Sequence, residues 1–475
     1  MRKKTLLTLI ALTVWGITAI RAQDFIVGNI QYSILSPSEN TVEVVSKTPL
    51  YSGAMTIPAT ATFNGVTYSV VKIGNKAFEN CVDLIRVELS EGITTIGDNA
   101  FSTCNNLISL TLPESLTTIG GWFIMRCTSL ATLHFPKNVS SLGYYALESS
   151  QSGVGGLQSV TVAEDNQHYS AVDGVLFNKD KTTVLFYPAA KPGTSYNVPE
   201  GVLTIGNSAF YFAKNLTEIT FPETLKKIEA SVFQHSGVKS VFVSKNLTEI
   251  SSRSFYDSWG LESITVAEDN PEWSSVDGVL FNKDKTTLIL YPKYKPGTEY
   301  EIPSTVTKLG RWAFDNTQKY LTSLTIPAGV TEIGEYGALL RTEPSFTITC
   351  KAIVPPVVNY NVFLNANTHG TLYVPVGSLA AYQVADQWED FGTIEEKVFT
   401  GLTPSFAGHE IEICGGKGVI YVTSVSSRLL GGEVVKVYNL SGALVRTAPL
   451  GNIANIPSGA YVVEIGARTE KVVVQ

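Results

Sequence analysis

From Ile73 onward the chain repeats one pattern of apolar and polar positions. Ile73-Gly74-Asn75-Lys76-Ala77-Phe78 returns 23 residues later as Ile96-Gly97-Asp98-Asn99-Ala100-Phe101, and Ile119-Gly120 opens a third copy after the same step. Cys81, Cys104 and Cys127 keep that step, and further copies begin at Leu142, Ile205, Ile228, Ile250, Leu309 and Ile333. A period in the twenties held over many copies predicts a solenoid with one coil per repeat. Within a coil, Leu107-x-x-Leu110-x-Leu112 ends in the alternation of a strand, and Pro113, with no N–H for a ladder, ends it. The Ile, Ala, Phe, Cys and Leu positions are expected to point inward and stack on their counterparts in the next coil.

A longer repeat is superimposed, because residues 157–210 recur 104 positions later at 261–314. Val172-Asp173-Gly174-Val175-Leu176-Phe177-Asn178-Lys179-Asp180-Lys181 matches Val276-Asp277-Gly278-Val279-Leu280-Phe281-Asn282-Lys283-Asp284-Lys285. Each copy reads as strand, polar turn and strand ending at Tyr187-Pro188 or Tyr291-Pro292, a hairpin built into the solenoid wall. Phe25 to Val45 reads as strands that precede the first coil. The pattern changes again at Lys397, where short strands around 411–414, 419–422, 434–440, 457–464 and 471–474 predict a small β-sandwich.

Composition agrees with strands. Apolar residues make up 44% of the 475, charged residues 16%, and Met occurs three times, so the chain has core enough and little helical bias. Lys plus Arg number 35 against 42 Asp plus Glu, a formal charge of −7, which leaves no basic excess for nucleic acid. Arg2, Lys3 and Lys4 before the apolar run Leu6–Ile20, with Ala22 ahead of Gln23, have the layout of a secretory signal peptide. Cleavage after Ala22 removes four bases and takes the formal charge from −7 to −11. No later stretch reaches the roughly 20 apolar residues of a membrane helix. The five cysteines, 81, 104, 127, 350 and 414, cannot all pair and include no CxxC, so neither a disulfide framework nor a zinc finger is indicated.

The Ile-Gly-x-x-Ala-Phe-x-x-Cys and Leu-x-x-Leu-x-Leu-Pro motifs resemble those of the BspA-like leucine-rich-repeat family of bacterial surface proteins, over roughly residues 25–395. Later copies depart from it, with Ala213, Ser236, Ser258 and Thr317 at the Cys position. Leu372-Tyr373-Val374-Pro375 followed by Tyr382, Trp388 and Phe391 is similar to the family's closing segment. Val437-Tyr438-Asn439-Leu440-Ser441-Gly442, then Ile456-Pro457-Ser458-Gly459-Ala460-Tyr461 and a last Lys-Val strand, resembles the C-terminal sorting domain of type 9 secretion substrates in Bacteroidota. The reading is a mainly β protein: signal peptide 1–22, N-terminal β cap 23–70, leucine-rich-repeat solenoid 71–350 of about 23-residue coils with two inserted hairpins, closing segment 351–396, and sandwich 397–475.

Catalytic constellations are missing from the sequence. His134, His168, His235, His369 and His409 are scattered, with no HExxH and no Gly-x-Ser-x-Gly elbow, and Gly415-Gly416-Lys417-Gly418 lacks the spacing and the Ser or Thr of a phosphate loop. The stacked cysteines read as small buried hydrophobes. Asp165, Asn166, Asp173, Asn178 and Asp180, duplicated 104 residues on, carry the hard oxygens of a calcium site but suit turns. The exposed strand positions are mostly Ser and Thr, which favour strands and solubility alone. Exceptions on that surface are His134, Glu218 and Phe242; near the coil corners stand Trp122, Tyr144, Tyr145, Trp259 and Trp312. Aromatics dominate binding hot spots, although a recurring large apolar side chain is more often core. These eight are the candidate partner-binding residues, with no catalytic, metal or cofactor residue. The resemblance implies a non-enzymatic adhesin, secreted or displayed on the outer surface of a Gram-negative bacterium, that binds a protein of the host extracellular matrix or of another cell. A glycan-binding accessory protein is the alternative, and an unrecognised enzyme comes last.

Overall fold

The computed structural model describes residues 24–148, 156–314, 320–335, 346–360, 362–363, 370–399, 411–416, 419–424, 434–440, 443–449, 453–454, 456–465 and 468–474. The expected signal peptide 1–22 lies outside them, as do Thr317, His369, His409, Lys417, Gly418, Ser441 and Gly442. The described residues fall into two compact units: the first runs to Glu148 and takes in Val162–Gln167, and the second holds 156–161 and the residues from His168 on.

In the first unit Asp24–Val27, Ile30–Ser36 and Thr41–Val44 form an antiparallel meander. Val44 then sits opposite Ile73 in a parallel pairing with Val66–Ile73. Two-residue strands carry the sheet onward, with Ile73 beside Ile96, Ile96 beside Ile119, and Ile119 beside Leu142. A second parallel ladder joins Gly53–Ile57, Leu84–Leu89 and Ser109–Thr111. Each coil thus spends its Thr-Ile on a short strand and its Leu-x-x-Leu-x-Leu on a longer one.

The turn between them is hydrogen-bonded from coil to coil as well. Phe78 N donates to Ala100 O and Phe101 N to Phe123 O, each at 2.7 Å. Most coils take two left-handed residues along that path, such as Asn99 (φ 54°) with Thr103 (φ 62°) and Trp122 (φ 49°) with Arg126 (φ 62°), while the coil from Ile250 takes Asp257 alone (φ 47°). Inside, Ile96, Ala100, Phe101, Cys104 and Leu107 are fully buried, and Phe78 and Phe101 stack at 4.8 Å with planes 2° apart. In the first unit the glycine after the Ile has a packing reason, although Glu229 and Ser251 stand at that position after Ile228 and Ile250. A Cβ on Gly120 would stand 2.5 Å from the carbonyl carbon of Gly97 in the coil before it, so a larger residue at this position must push the two coils apart.

The second unit repeats this plan around the duplicated insertions. Tyr169–Val172 and Val175–Asn178 form a hairpin on Asp173-Gly174, both left-handed at φ 49° and 75°. The expected single hairpin is in fact a three-stranded meander. Asn178 donates to Thr182 Oγ1 and accepts from Thr183 N, both at 2.9 Å, and turns the chain again into Thr183–Phe186. Val184 then takes the Ile slot beside Ile205, and in the second copy Leu288 does so beside Leu309. Each insertion therefore supplies a coil's short strand as well as an outward hairpin, because it holds two turn signals where one hairpin needs one.

The longer-strand ladder continues in parallel through Glu299–Glu301, Ser323–Ile326, Thr347–Cys350, Thr371–Pro375 and Thr393–Lys397. Tyr382, Trp388 and Phe391 join the core there, Tyr382 Oη donating to Ala352 O (2.7 Å) and Trp388 Nε1 to Pro356 O (2.9 Å). Further along, Ile411–Gly416 pairs with Val419–Ser424, and Leu444–Pro449, Val434–Asn439, Gly459–Ile465 and Arg468–Val474 make a four-stranded antiparallel sheet. Ile420, Val435, Val437, Ile453, Val463 and Val472 share one small core between these sheets.

Candidate functional site

The residues singled out from the sequence separate into strand positions and corner positions. His134 is exposed on Thr132–Phe135 of the first unit, while Glu218 on Glu218–Thr220 and Phe242 on Ser240–Val243 belong to the second. Alternation explains them, since Leu133, Phe135, Val241 and Val243 turn inward and are buried, and Ile219 beside Glu218 is half-buried. Phe242 is 54% exposed, an unusual place for a Phe among Ser and Thr. Glu218 and Phe242 stand on strands that neighbour each other in the second unit.

Corner residues do assemble. In the first unit the rings of Trp122 and Tyr144 lie 5.8 Å apart, Trp122 and Tyr145 6.1 Å, and Tyr144 and Tyr145 4.0 Å. Trp122 is 36% and Tyr144 62% exposed. Trp122 (φ 49°) and Tyr145 (φ 50°) occupy the left-handed slot that Lys76 and Asn99 fill in earlier coils.

The second unit groups its corner residues around Trp259 and Trp312. Trp259 lies 4.4 Å from the His235 ring and 5.7 Å, edge-on, from Phe212, with Lys214 Nζ 4.3 Å from its centroid. His235 Nδ1 is 3.1 Å from Asp257 Oδ2, and Lys293 pairs with Asp257 Oδ1. Burial works against the Asp257 charge, but His235 and Lys293 outweigh it and hold the carboxyl below the usual carboxylate range. Trp312 (φ 63°) is flanked by Tyr256 at 5.1 Å and by Arg253 and Arg311 at 5.3 and 5.8 Å. Sequence reasoning found the two indoles and missed His235, Asp257, Lys293, Lys214 and Arg253. A signal existed: Phe212, His235 and Asp257 fill the left-handed slot just before the Cys position, 23 and 22 residues apart.

The turn residues weighed for calcium have other work. Asn166, fully buried, donates Nδ2 to Pro136 O (2.9 Å) and Val139 O (3.0 Å). Asn270 does the same to Ser244 O and Leu247 O, and accepts from Glu272 N and Trp273 N. Asp173 pairs with Lys191 (3.1 Å) and Asp277 with Lys295 (2.8 Å). The buried amides thus clamp coil carbonyls, and no metal-binding cluster occurs among the described residues. Cys81, Cys104, Cys127 and Cys350 are core: Cys104 Sγ donates to Phe78 O and Cys127 Sγ to Phe101 O at 3.0 Å, and burial pushes the Cys81 thiol up to about 11. No helix among the described residues is long and apolar enough to cross a membrane.

Several solved structures are similar. A leucine rich cell surface protein from Faecalibacterium prausnitzii is 22% identical with a TM-score of 0.42, the alignment covering 80% of this chain and 96% of that one. A leucine-rich repeat protein from Eubacterium ventriosum is 20% identical (TM-score 0.41, 64% and 91% covered). Another, from Bacteroides ovatus, is 20% identical (TM-score 0.39, 79% and 100% covered). None of the curated proteins matches. The sequence model of the BspA type leucine rich repeat region matches in six copies over residues 61–168, 185–289 and 290–339, more than half of the chain. With coils of that period observed through the same residues, the chain belongs to the BspA-type leucine-rich repeat family.

Proposed function

We propose that the chain is a non-enzymatic binding protein, secreted and held at the bacterial outer surface, that docks a protein of the host extracellular matrix or of another cell on the aromatic corner of its first unit. The observation that carries this reading is the Trp122–Tyr144–Tyr145 group, three rings within 4.0–6.1 Å of one another. A bulky residue in a left-handed slot costs on the order of 1 kcal/mol. The same slot holds Lys76, Asn99, Ser208 and Ser231 in other coils, so the backbone does not require an aromatic there. Exposed Trp and Tyr offer large, stiff contact area, and such residues carry most of the energy of protein interfaces.

Residues 397–475 are proposed to act as a type 9 sorting domain, which delivers the solenoid from the periplasm to the surface. Two experiments test these readings. Surface plasmon resonance of the mature chain against purified extracellular-matrix proteins should give binding that Trp122→Ala with Tyr144→Ala weakens about tenfold or more, at unchanged circular dichroism; equal binding by the double variant refutes the corner. Deleting residues 400–475 should strand a folded solenoid in the periplasm, and continued surface display would refute the sorting role.

A further inference from the structure

The first unit leaves a strand edge open. Gly53–Ile57 is the outermost strand of its longer-strand ladder, and among the described residues it pairs with Leu84–Leu89 alone. Gly53 N donates to Asp83 O and Ile57 O accepts from Ser90 N, so the odd-numbered residues face that neighbour. Strand alternation turns the N–H and C=O of Ala54 and Thr56 the other way, where no described strand meets them. Both residues are exposed, and the strand holds neither a charge nor a proline. Charge commonly guards such an edge, as it does in the second unit, whose longer-strand ladder ends on Thr393–Lys397 with Glu395, Glu396 and Lys397 exposed.

The residues beside the edge select its occupant. Ala54 stands opposite Arg86 and Thr56 opposite Glu88 on the neighbouring strand, and all four are exposed. Neither Arg86 nor Glu88 has an ion pair with a described residue. A second copy of the strand, laid antiparallel about a twofold axis at Met55, sets Ala54 opposite Thr56 of the other copy. Their outward N–H and C=O groups then bond each other in both directions. This arrangement keeps the exposed faces of both copies on one side, whereas a parallel pairing of the two edges turns one copy over. The same register aligns Arg86 of each copy with Glu88 of the other in a single cross-strand row. Their Cα atoms are three strand spacings apart, about 14 Å. Leaning over the small Ala54 and Thr56, the two charges come inside the roughly 10 Å Debye length at 0.1 M salt. Half-buried Met55 meets its own copy across the axis, with a side chain flexible enough to adapt.

We propose that the protein forms a symmetric dimer through Gly53–Ile57, the two strands antiparallel about Met55 and Arg86 of each copy facing Glu88 of the other. The seam is short beside the roughly 1,200–2,000 Å² of a stable interface, so the dimer forms reversibly as concentration rises. It uses none of Trp122, Tyr144 and Tyr145, so the protein-docking reading stands or falls separately. Sedimentation velocity of the mature chain, over a concentration series reaching the millimolar range, should show monomer passing into dimer. Arg86→Glu and Glu88→Arg should each weaken association several-fold, and the two together should restore it. Thr56→Pro removes an outward N–H and none that faces Leu84–Leu89, and should abolish the dimer at unchanged circular dichroism. Arg86 and Glu88 are exposed, so their variants test the seam even if Thr56→Pro disturbs the strand. Met55→Cys should cross-link to itself under mild oxidation, because residues on the axis lie about 4.5 Å apart at Cα, within disulfide reach. Thr111→Cys, on Ser109–Thr111, should not. Monomer at every concentration, association that neither charge variant weakens, no recovery in the double exchange, or equal cross-linking of the two cysteine variants overturns the proposal.

Discussion

Phe233 and Phe242 stand nine residues apart and differ in almost everything but chemistry. Phe233 is fully buried, stacked between Phe210 (5.7 Å, 12°) and Phe255 (5.3 Å, 8°), whereas Phe242 is 54% exposed. Truncating a buried Phe to Ala costs about 3–5 kcal/mol in lost transfer energy and residual cavity. Here the upper half of that range applies. The rings on either side are each fixed by their own coil, so they cannot move in to fill the space, and each stacked pair adds about 0.5–1.5 kcal/mol beyond burial. Phe242→Ala should stay within about 0.5 kcal/mol. With a urea dependence of about 2 kcal/mol per molar, Phe233→Ala should lower the midpoint followed by circular dichroism by roughly 2 M. Coils couple chiefly to their neighbours, so the accompanying loss of hydrogen-exchange protection should centre on residues 205–264. Equal destabilisation by the two variants, or a loss spread evenly over the second unit, would refute the inward and outward assignment.

Gly120→Ala should destabilise the first unit by about 2 kcal/mol or more, measured by the same titration, because its Cβ would meet the Gly97 backbone at 2.5 Å. Asn270→Ala removes two donors to buried carbonyls and the acceptor for Glu272 N and Trp273 N, and should cost about 2–4 kcal/mol by denaturant titration. Asp257 is held below the usual carboxylate range, so its contribution to stability is complete above the unfolded value of about 3.9 and is lost as pH falls through the lower folded value. Melting temperatures measured across that acid window should fall less steeply for Asp257→Asn than for the parent chain.

Much of the fold could be read from period alone, because each inward slot repeats its residue type: Ile73, Ile96 and Ile119 share a ladder, and Phe78 stacks on Phe101. What escaped the reading were contacts between slots of different coils. Asn166 and Asn270 look like turn residues in sequence, and only the path of the chain shows their amides holding carbonyls 23 to 30 residues away. Asp257 and Lys293 are 36 residues apart with an insertion between them, so no local spacing announces the pair. The Trp122, Tyr144 and Tyr145 group was legible as residues but not as a group, since its closeness depends on the pitch of the coils.

The left-handed slot also bears on how such a protein changes over generations. Its backbone angle tolerates many side chains, as Lys76, Asn99, Trp122, Tyr145, Ser208, Ser231 and Trp312 all adopt φ between 49° and 63° there, while Arg253 in the coil from Ile250 does not. A single codon change at this slot swaps what the surface presents while the coil keeps its path, at a strain cost of order 1 kcal/mol for the bulkiest choices. A stack of such coils is a row of independently editable positions on a constant frame. What the coils present can therefore drift in chemistry, one coil at a time, without passing through an unfolded ancestor.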